Sequence, residues 1–187
     1  MEDPDEILLD ADSRMESAVQ ALRRDLASVR TGRAHPSLVE NMPIDYYGAM
    51  TPLRQLGTIN APEARLLAIQ VWDRSAVNIV AKAIQASDLG LNPAIDGQLI
   101  RLAIPALTEA RRKEFVKLVH NKVEDARVAV RNVRRHAHYE LRKIEKESII
   151  SEDDLRRNEA ELQKITDAHI ATVDQEGKRK EADLLEI

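Results

Sequence analysis

Nine apolar side chains recur at steps of three or four between residues 115 and 144: Phe115, Val119, Val123, Ala126, Val130, Val133, Ala137, Leu141 and Ile144. That period puts them on one stripe of a helix, and no glycine or proline interrupts residues 108–146. Such a helix of about 36 residues is ~54 Å long. A one-sided helix is marginal alone and must lay its stripe against other apolar faces. Two segments offer them. In residues 5–30, Met15, Val19, Leu22, Leu26 and Val29 follow the same spacing. After Ser151, the acidic run Glu152-Asp153-Asp154 suits a helix start. The stripe Leu155, Leu162, Ile165, Val173 then runs to about Leu184. The simplest way to bury three such faces is a three-helix bundle.

The chain between the first two helices has a different texture. Six of the seven prolines and five of the six glycines fall between Gly32 and Pro105. Ile44-Asp45-Tyr46-Tyr47, the run 66–72 and the run 99–104 read as strands, with Gly48 and Pro52 as turn residues. Tyr46 and Tyr47 would then point to opposite faces of a strand. Residues 75–86 read as a short helix with Val77, Val80, Ala81 and Ile84 on its buried side. The expected fold is α+β: a long three-helix bundle from residues 1–30 and 106–187, with a smaller β/α/β domain, residues 31–105, inserted between helix one and helix two. Two short connections join the parts, near 30–33 (Arg30, Thr31, Gly32, Arg33) and 104–107 (Pro105, Ala106, Leu107). We read them as a hinge.

Composition excludes several functions. There is no cysteine, hence no disulfide framework, thiolate nucleophile or cysteine-ligated zinc. No apolar run approaches the ~20 residues of a membrane span, and none near the start resembles a signal peptide. A cytoplasmic protein, monomeric and without cofactor, is the expectation. His136 and His138 diverge by about 200° on a helix and do not suit one metal ion. The glycines form no phosphate-cradling spacing. No window pairs a nucleophile with a base, so the chain reads as non-enzymatic.

The net charge of −4 hides an uneven distribution. Residues 1–30 carry eight acids and four bases, residues 109–146 twelve bases and six acids, and residues 151–187 eleven acids and six bases. The second long helix thus lies between acidic segments. Lys113, Lys117, His120, Arg127, Arg131, Arg134, His138 and Arg142 follow one another at helical steps, broken at Glu124 and widened by Arg135. Arginine presents a planar fork of donors that fits phosphate oxygens. A solvated face paired with acidic neighbour helices is the competing reading. Because no carboxylate falls between Asp125 and Glu140, local pairing is not expected to neutralise Arg127, Arg131, Arg134 and Arg135.

Motifs along the whole chain carry a resemblance. They are Arg30-Thr31-Gly32-Arg33-Ala34, Tyr46-Tyr47-Gly48 with Thr51-Pro52-Leu53, and residues 87–93 (SDLGLNP) followed by Gly97. Further along come Ile100-Arg101, Pro105 with Leu107-Thr108-Glu109, Arg111-Arg112-Lys113, Val130-Arg131-Asn132-Val133-Arg134-Arg135 and Ile150-Ser151-Glu152-Asp153-Asp154. Together they resemble the ribosome recycling factors of bacteria and organelles. The resemblance implies an L-shaped molecule that works with the GTPase elongation factor G. The pair would split post-termination ribosomes into subunits and release mRNA and tRNA. It further implies that the bundle meets large-subunit 23S rRNA and the inserted domain meets the translocase. Arg131 and Arg134 match the family's sensitive arginines; Arg127, Arg135, Arg111, Lys113 and Lys117 complete the expected rRNA-binding set. Ala110 stands where the family usually has Glu, and His136 and His138 where it has Asp and Asn.

Overall fold

The computed structural model describes residues 3–186. The chain divides into two compact units, Gly32–Thr108 and a helical unit formed by the segments on either side.

The helical unit contains α1 (Pro4–Ala27), α3 (Glu109–Lys146) and α4 (Glu152–Leu185), each packed on the other two. Asp3 caps α1 by accepting from the Asp5 amide, with Pro4 in the first turn, where its missing N–H costs nothing. The helix ends at Ala27, three residues earlier than the spacing predicts. Ser28 turns its hydroxyl back onto the Asp25 carbonyl at 2.6 Å, competing with the next helical turn. Val29 stays buried outside the helix, so the apolar spacing alone does not mark the stop.

Eight of the nine apolar positions expected on α3 are buried; Phe115, nearest the start, is half-buried. On α4 the buried positions are Leu155, Leu162, Thr166, Val173, Gly177 and Leu184. Thr166 takes the place expected for Ile165, which is half-buried. Its hydroxyl bonds the Leu162 carbonyl at 2.8 Å, which removes the penalty of burying it. Leu162, Val173 and Leu184 recur every 11 residues, as do Leu155, Thr166 and Gly177. This period stays close to that of a straight helix and avoids the left-handed winding of a seven-residue repeat. Gly177 is a contact requirement: a Cβ there would stand 2.5 Å from Cγ2 of Val123.

α3 closes at Ser148, which adopts φ +60, while the Ile149 amide returns to the Ile144 carbonyl at 2.9 Å. Ser151 and Asp154 then form a reciprocal capping box at the start of α4.

The Gly32–Thr108 unit contains six strands and one helix. β1 (Pro43–Tyr46) and β2 (Ala49–Pro52) form an antiparallel hairpin. β3 (Gly57–Glu63), β4 (Leu66–Val71), β5 (Pro93–Asp96) and β6 (Leu99–Ala103) form an antiparallel sheet in the order β3-β4-β6-β5. Leu67, Ile69 and Val71 alternate inward on β4, as do Ile100 and Leu102 on β6. They share a core with Val77, Val80, Ala81 and Ile84 of α2 (Val77–Ala86).

The expected β/α/β domain is present, and it holds three strands, β2, β3 and β5, beyond the three runs read from the sequence. β2, β3 and β5 were hidden because they are short or are outer strands rich in Gly, Pro and polar residues. Residues 74–76 form a separate 3₁₀ turn before α2. Tyr47 is not in a strand. With Gly48 it makes the two-residue turn, at φ 51 and 85, the positive pair a tight hairpin demands. Tyr46 is half-buried and donates its hydroxyl to Asp73 at 2.6 Å, raising the Tyr46 pKa and lowering that of Asp73.

Candidate nucleic-acid interface

The basic residues of interest ride on α3, whose 38 residues span about 57 Å. Its apolar stripe is locked into the bundle, so each outward cation is held at a fixed angle around a stiff rod. The side chains that lean toward α4 meet carboxylates. His120 Nε2 is 3.0 Å from Glu181, and His138 Nε2 is 2.8 Å from Glu159, which also receives Arg142 Nε at 3.4 Å.

Arg127 is the most engaged. Its Nε and Nη2 reach Asp174 Oδ1 at 2.7 and 2.6 Å, and Nη1 reaches Glu124 at 2.9 Å. The hydrogen bonds it donates to Glu124 and then to Asp174 hold its pKa above the ordinary arginine value. The expectation that local pairing leaves the cluster unneutralised is thus overturned at Arg127. The carboxylate that takes two of the three contacts comes from α4, 47 residues away in sequence, and the other lies one turn back on α3.

Between Arg127 and His138 the neutralisation thins. Arg131 Nη1 stands 3.7 Å from Glu124, with half of its side chain in solvent. Arg134 is half-buried and has no polar partner among the described residues. Arg135 is exposed and, among the described residues, reaches only the Asn132 side chain, at 3.5 Å. These three arginines lie within about one helical turn of one another. The remaining expected members are spread along the rod. Lys117 is exposed and lies 14 residues before Arg131, roughly 21 Å along the axis. Lys113 pairs with Glu109 at 3.1 Å, and Arg111 pairs with Glu114 at 3.1 Å while lying over the Phe115 ring at 5.8 Å. The structure therefore gathers Arg131, Arg134 and Arg135 and leaves Arg111, Lys113 and Lys117 as a separate, partly paired group.

Among the described residues no cluster of His, Asp or Glu is placed to hold a metal, and no helix is long and apolar enough to cross a membrane. His169 sits at the α1–α4 seam, with Nε2 at 2.7 Å from Asp12.

The ribosome recycling factor family model matches residues 22–185, from inside α1 to the end of α4. The chain belongs to the ribosome recycling factor family. The ribosome-recycling factor of Thermomicrobium roseum is 55% identical over 183 residues, covering 98% of this chain and 99% of the relative. That of Bacillus subtilis is 50% identical over 182 residues, covering 97% and 98%. A solution structure of the ribosome recycling factor superposes with a TM-score of 0.76 at 41% identity, covering 98% of each chain. Another structure matches at TM-score 0.66 and 45% identity, over 98% of this chain and 99% of that one. It is described as models for the T. thermophilus ribosome recycling factor and the E. coli elongation factor G bound to the E. coli post-termination complex.

Membership of the ribosome recycling factor family makes this a translation factor rather than an enzyme. The fold class expected from the sequence agrees with it: long helices α1, α3 and α4 as a bundle, with the α/β unit inserted between α1 and α3. The matched region contains every basic residue discussed above. One residue escaped the sequence reading. Tyr139, 66% exposed, stands among those cations on the outer face of α3. Its position four residues after Arg135 and three before Arg142 was the available signal.

Proposed function

We propose that this ribosome recycling factor docks on large-subunit rRNA through the outer face of α3, with Arg131, Arg134 and Arg135 as the principal contacts. Together with elongation factor G, whose GTP hydrolysis supplies the energy, it splits the post-termination ribosome into subunits. The carrying observation is that these three arginines keep donors free on a rigid helix after α4 has neutralised their neighbours. The relative bound to a post-termination complex together with elongation factor G supports the same reading.

Lys117, Arg111 and Lys113 extend the contact along the rod, and Arg127 positions α3 against α4. The test is co-sedimentation with 50S subunits over a range of salt. Binding should weaken steeply as salt rises, and Arg131→Ala and Arg134→Ala should fold normally yet pellet poorly. Undiminished pelleting by both variants would refute the assignment.

We assign a hinge role to the two connections, Arg30, Thr31, Gly32 and Arg33 on one side and Pro105, Ala106 and Leu107 on the other. Within the inserted unit, the Ala34 amide bonds the Ala64 carbonyl at 2.7 Å and the Ile104 amide the Arg65 carbonyl at 2.8 Å. Both connections therefore leave from one β3–β4 turn. Gly32 at φ +75 and Pro105 without an N–H keep them out of regular structure. One unvarying interdomain angle in solution scattering, with and without ribosomal subunits, would remove this role.

A further inference from the structure

We infer that Tyr139 is a stacking platform for an unpaired nucleobase of the RNA on which α3 docks; this rests on the docking proposed above. Tyr139 is 66% exposed, and among the described residues it makes no hydrogen bond, ring contact or cation contact. An aromatic ring left in water on a polar helix face contributes nothing to the bundle. Its surroundings point to the ligand.

The residues one turn away on the same face are Arg135, His136, Arg142 and Lys143, and two turns away are Asn132 and Lys146. None is acidic. Glu140 projects about 100° away around the helix, and Glu159, which pairs with Arg142, belongs to the α4 edge. A neutral π-face ringed by Arg135, Lys143 and Lys146, and by Arg142 that it shares with Glu159, complements a base whose flanking phosphates are negative. An apolar protein partner would gain nothing from that ring of charge. The bases of an A-form duplex are stacked on one another and closed to a side chain, so the partner is a base in a loop, a bulge or a junction.

Stacking on a base and neutralising a phosphate differ in salt dependence, and this makes the inference testable. Purified full-length chain is bound to 50S subunits over a salt series and compared with Tyr139→Ala and Tyr139→Phe. Stacking worth ~1–3 kcal/mol predicts that Tyr139→Ala weakens binding by roughly 5- to 150-fold. The slope of log affinity against log salt should not change, because no phosphate contact is lost. Tyr139→Phe keeps the π-face and should bind within about twofold of the parent. Equal binding by Tyr139→Ala and the parent overturns the inference while leaving the arginine docking intact. A loss with Tyr139→Phe as large as with Tyr139→Ala also overturns it, since the hydroxyl would then be the contact. Failure of the parent chain to bind subunits would overturn the docking and this inference together.

Discussion

Replacing Arg127 with alanine should separate arginines that hold the bundle together from those proposed to meet RNA. Arg127 contributes two bonds to Asp174 and one to Glu124. Fully buried charge-assisted hydrogen bonds are worth ~1.5–3 kcal/mol each. Here 32% of the Arg127 side chain remains exposed, with 38% of Asp174 and 55% of Glu124, so most of that value is lost to solvent screening. A net loss of about 1–1.5 kcal/mol is reasonable once the packing of the arginine stem is included. For a chain of this size that corresponds to a drop of roughly 2–6 °C in Tm. The assay pairs thermal unfolding with 50S co-sedimentation over a salt series, on Arg127→Ala, Arg131→Ala and Arg134→Ala. Arg127→Ala should lower Tm, Asp174→Ala should reproduce most of the loss, and high salt should shrink both. Its salt slope should match the parent's. Arg131→Ala and Arg134→Ala should keep Tm and reduce the slope by ~0.7–0.9 each, the signature of one lost phosphate contact. An unchanged Tm for Arg127→Ala, with a slope reduced as much as for Arg131→Ala, would refute the division drawn here.

Three further predictions concern the frame of α3 and α4. Ser148→Gly should stabilise the bundle by about 0.5–1 kcal/mol in chemical denaturation, because glycine adopts the positive φ of this helix end without strain. Gly177→Ala should destabilise it by about 1 kcal/mol net, the crowding of Val123 outweighing the helical preference of alanine. Adding Val123→Ala should then cost less than the two single effects summed, as read from a double-mutant cycle. Ser151→Ala should cost about 1 kcal/mol by removing the cap. The same change should alter acid unfolding. Ser151 and then Arg157 hold the Asp154 carboxyl below its ordinary value of 3.8, so its stabilisation is complete above that value and is lost as pH falls through the lower folded one. Thermal melts between pH 2 and 5 should therefore show a weaker pH dependence in Ser151→Ala.

The three long helices could be read from sequence because burial imposes a period that polar substitutions do not erase. Their ends were less legible. The halt at Ala27 depends on the Ser28 hydroxyl turning back to Asp25, a local contest that an apolar count does not register. In the inserted unit, β4 and β6 announced themselves because each is flanked by strands on both sides and buries alternate residues. β3 and β5 are the outer strands of that sheet and carry Pro62 and Pro93 where a central strand would not tolerate them. β3 also contains Asn60, at an irregularity in its register with β4. Thr166 was missed for a different reason: a buried hydroxyl satisfied by its own helix looks polar in sequence and apolar in packing.

The candidate site shows the same limit in its charges. Counting carboxylates along α3 treats a helix as if it were alone, and by that count Arg127 had no acid within reach on its C-terminal side. What decides availability is the angle at which α3 meets α4. Glu181, Asp174 and Glu159 lie at successive levels of α4, opposite His120, Arg127 and the His138–Arg142 pair. The acidity of α4, which from sequence raised the competing reading of a face paired with acidic neighbours, acts on only part of that face. It engages His120, Arg127, His138 and Arg142 along α3 and leaves Arg131, Arg134 and Arg135 between them, with Tyr139 one turn after Arg135. A broad basic face would bind any polyanion in many registers. A group one helical turn deep, with α4-paired residues before it at Arg127 and after it at His138 and Arg142, permits few registers, and that is what the proposed docking at one place on a large RNA requires.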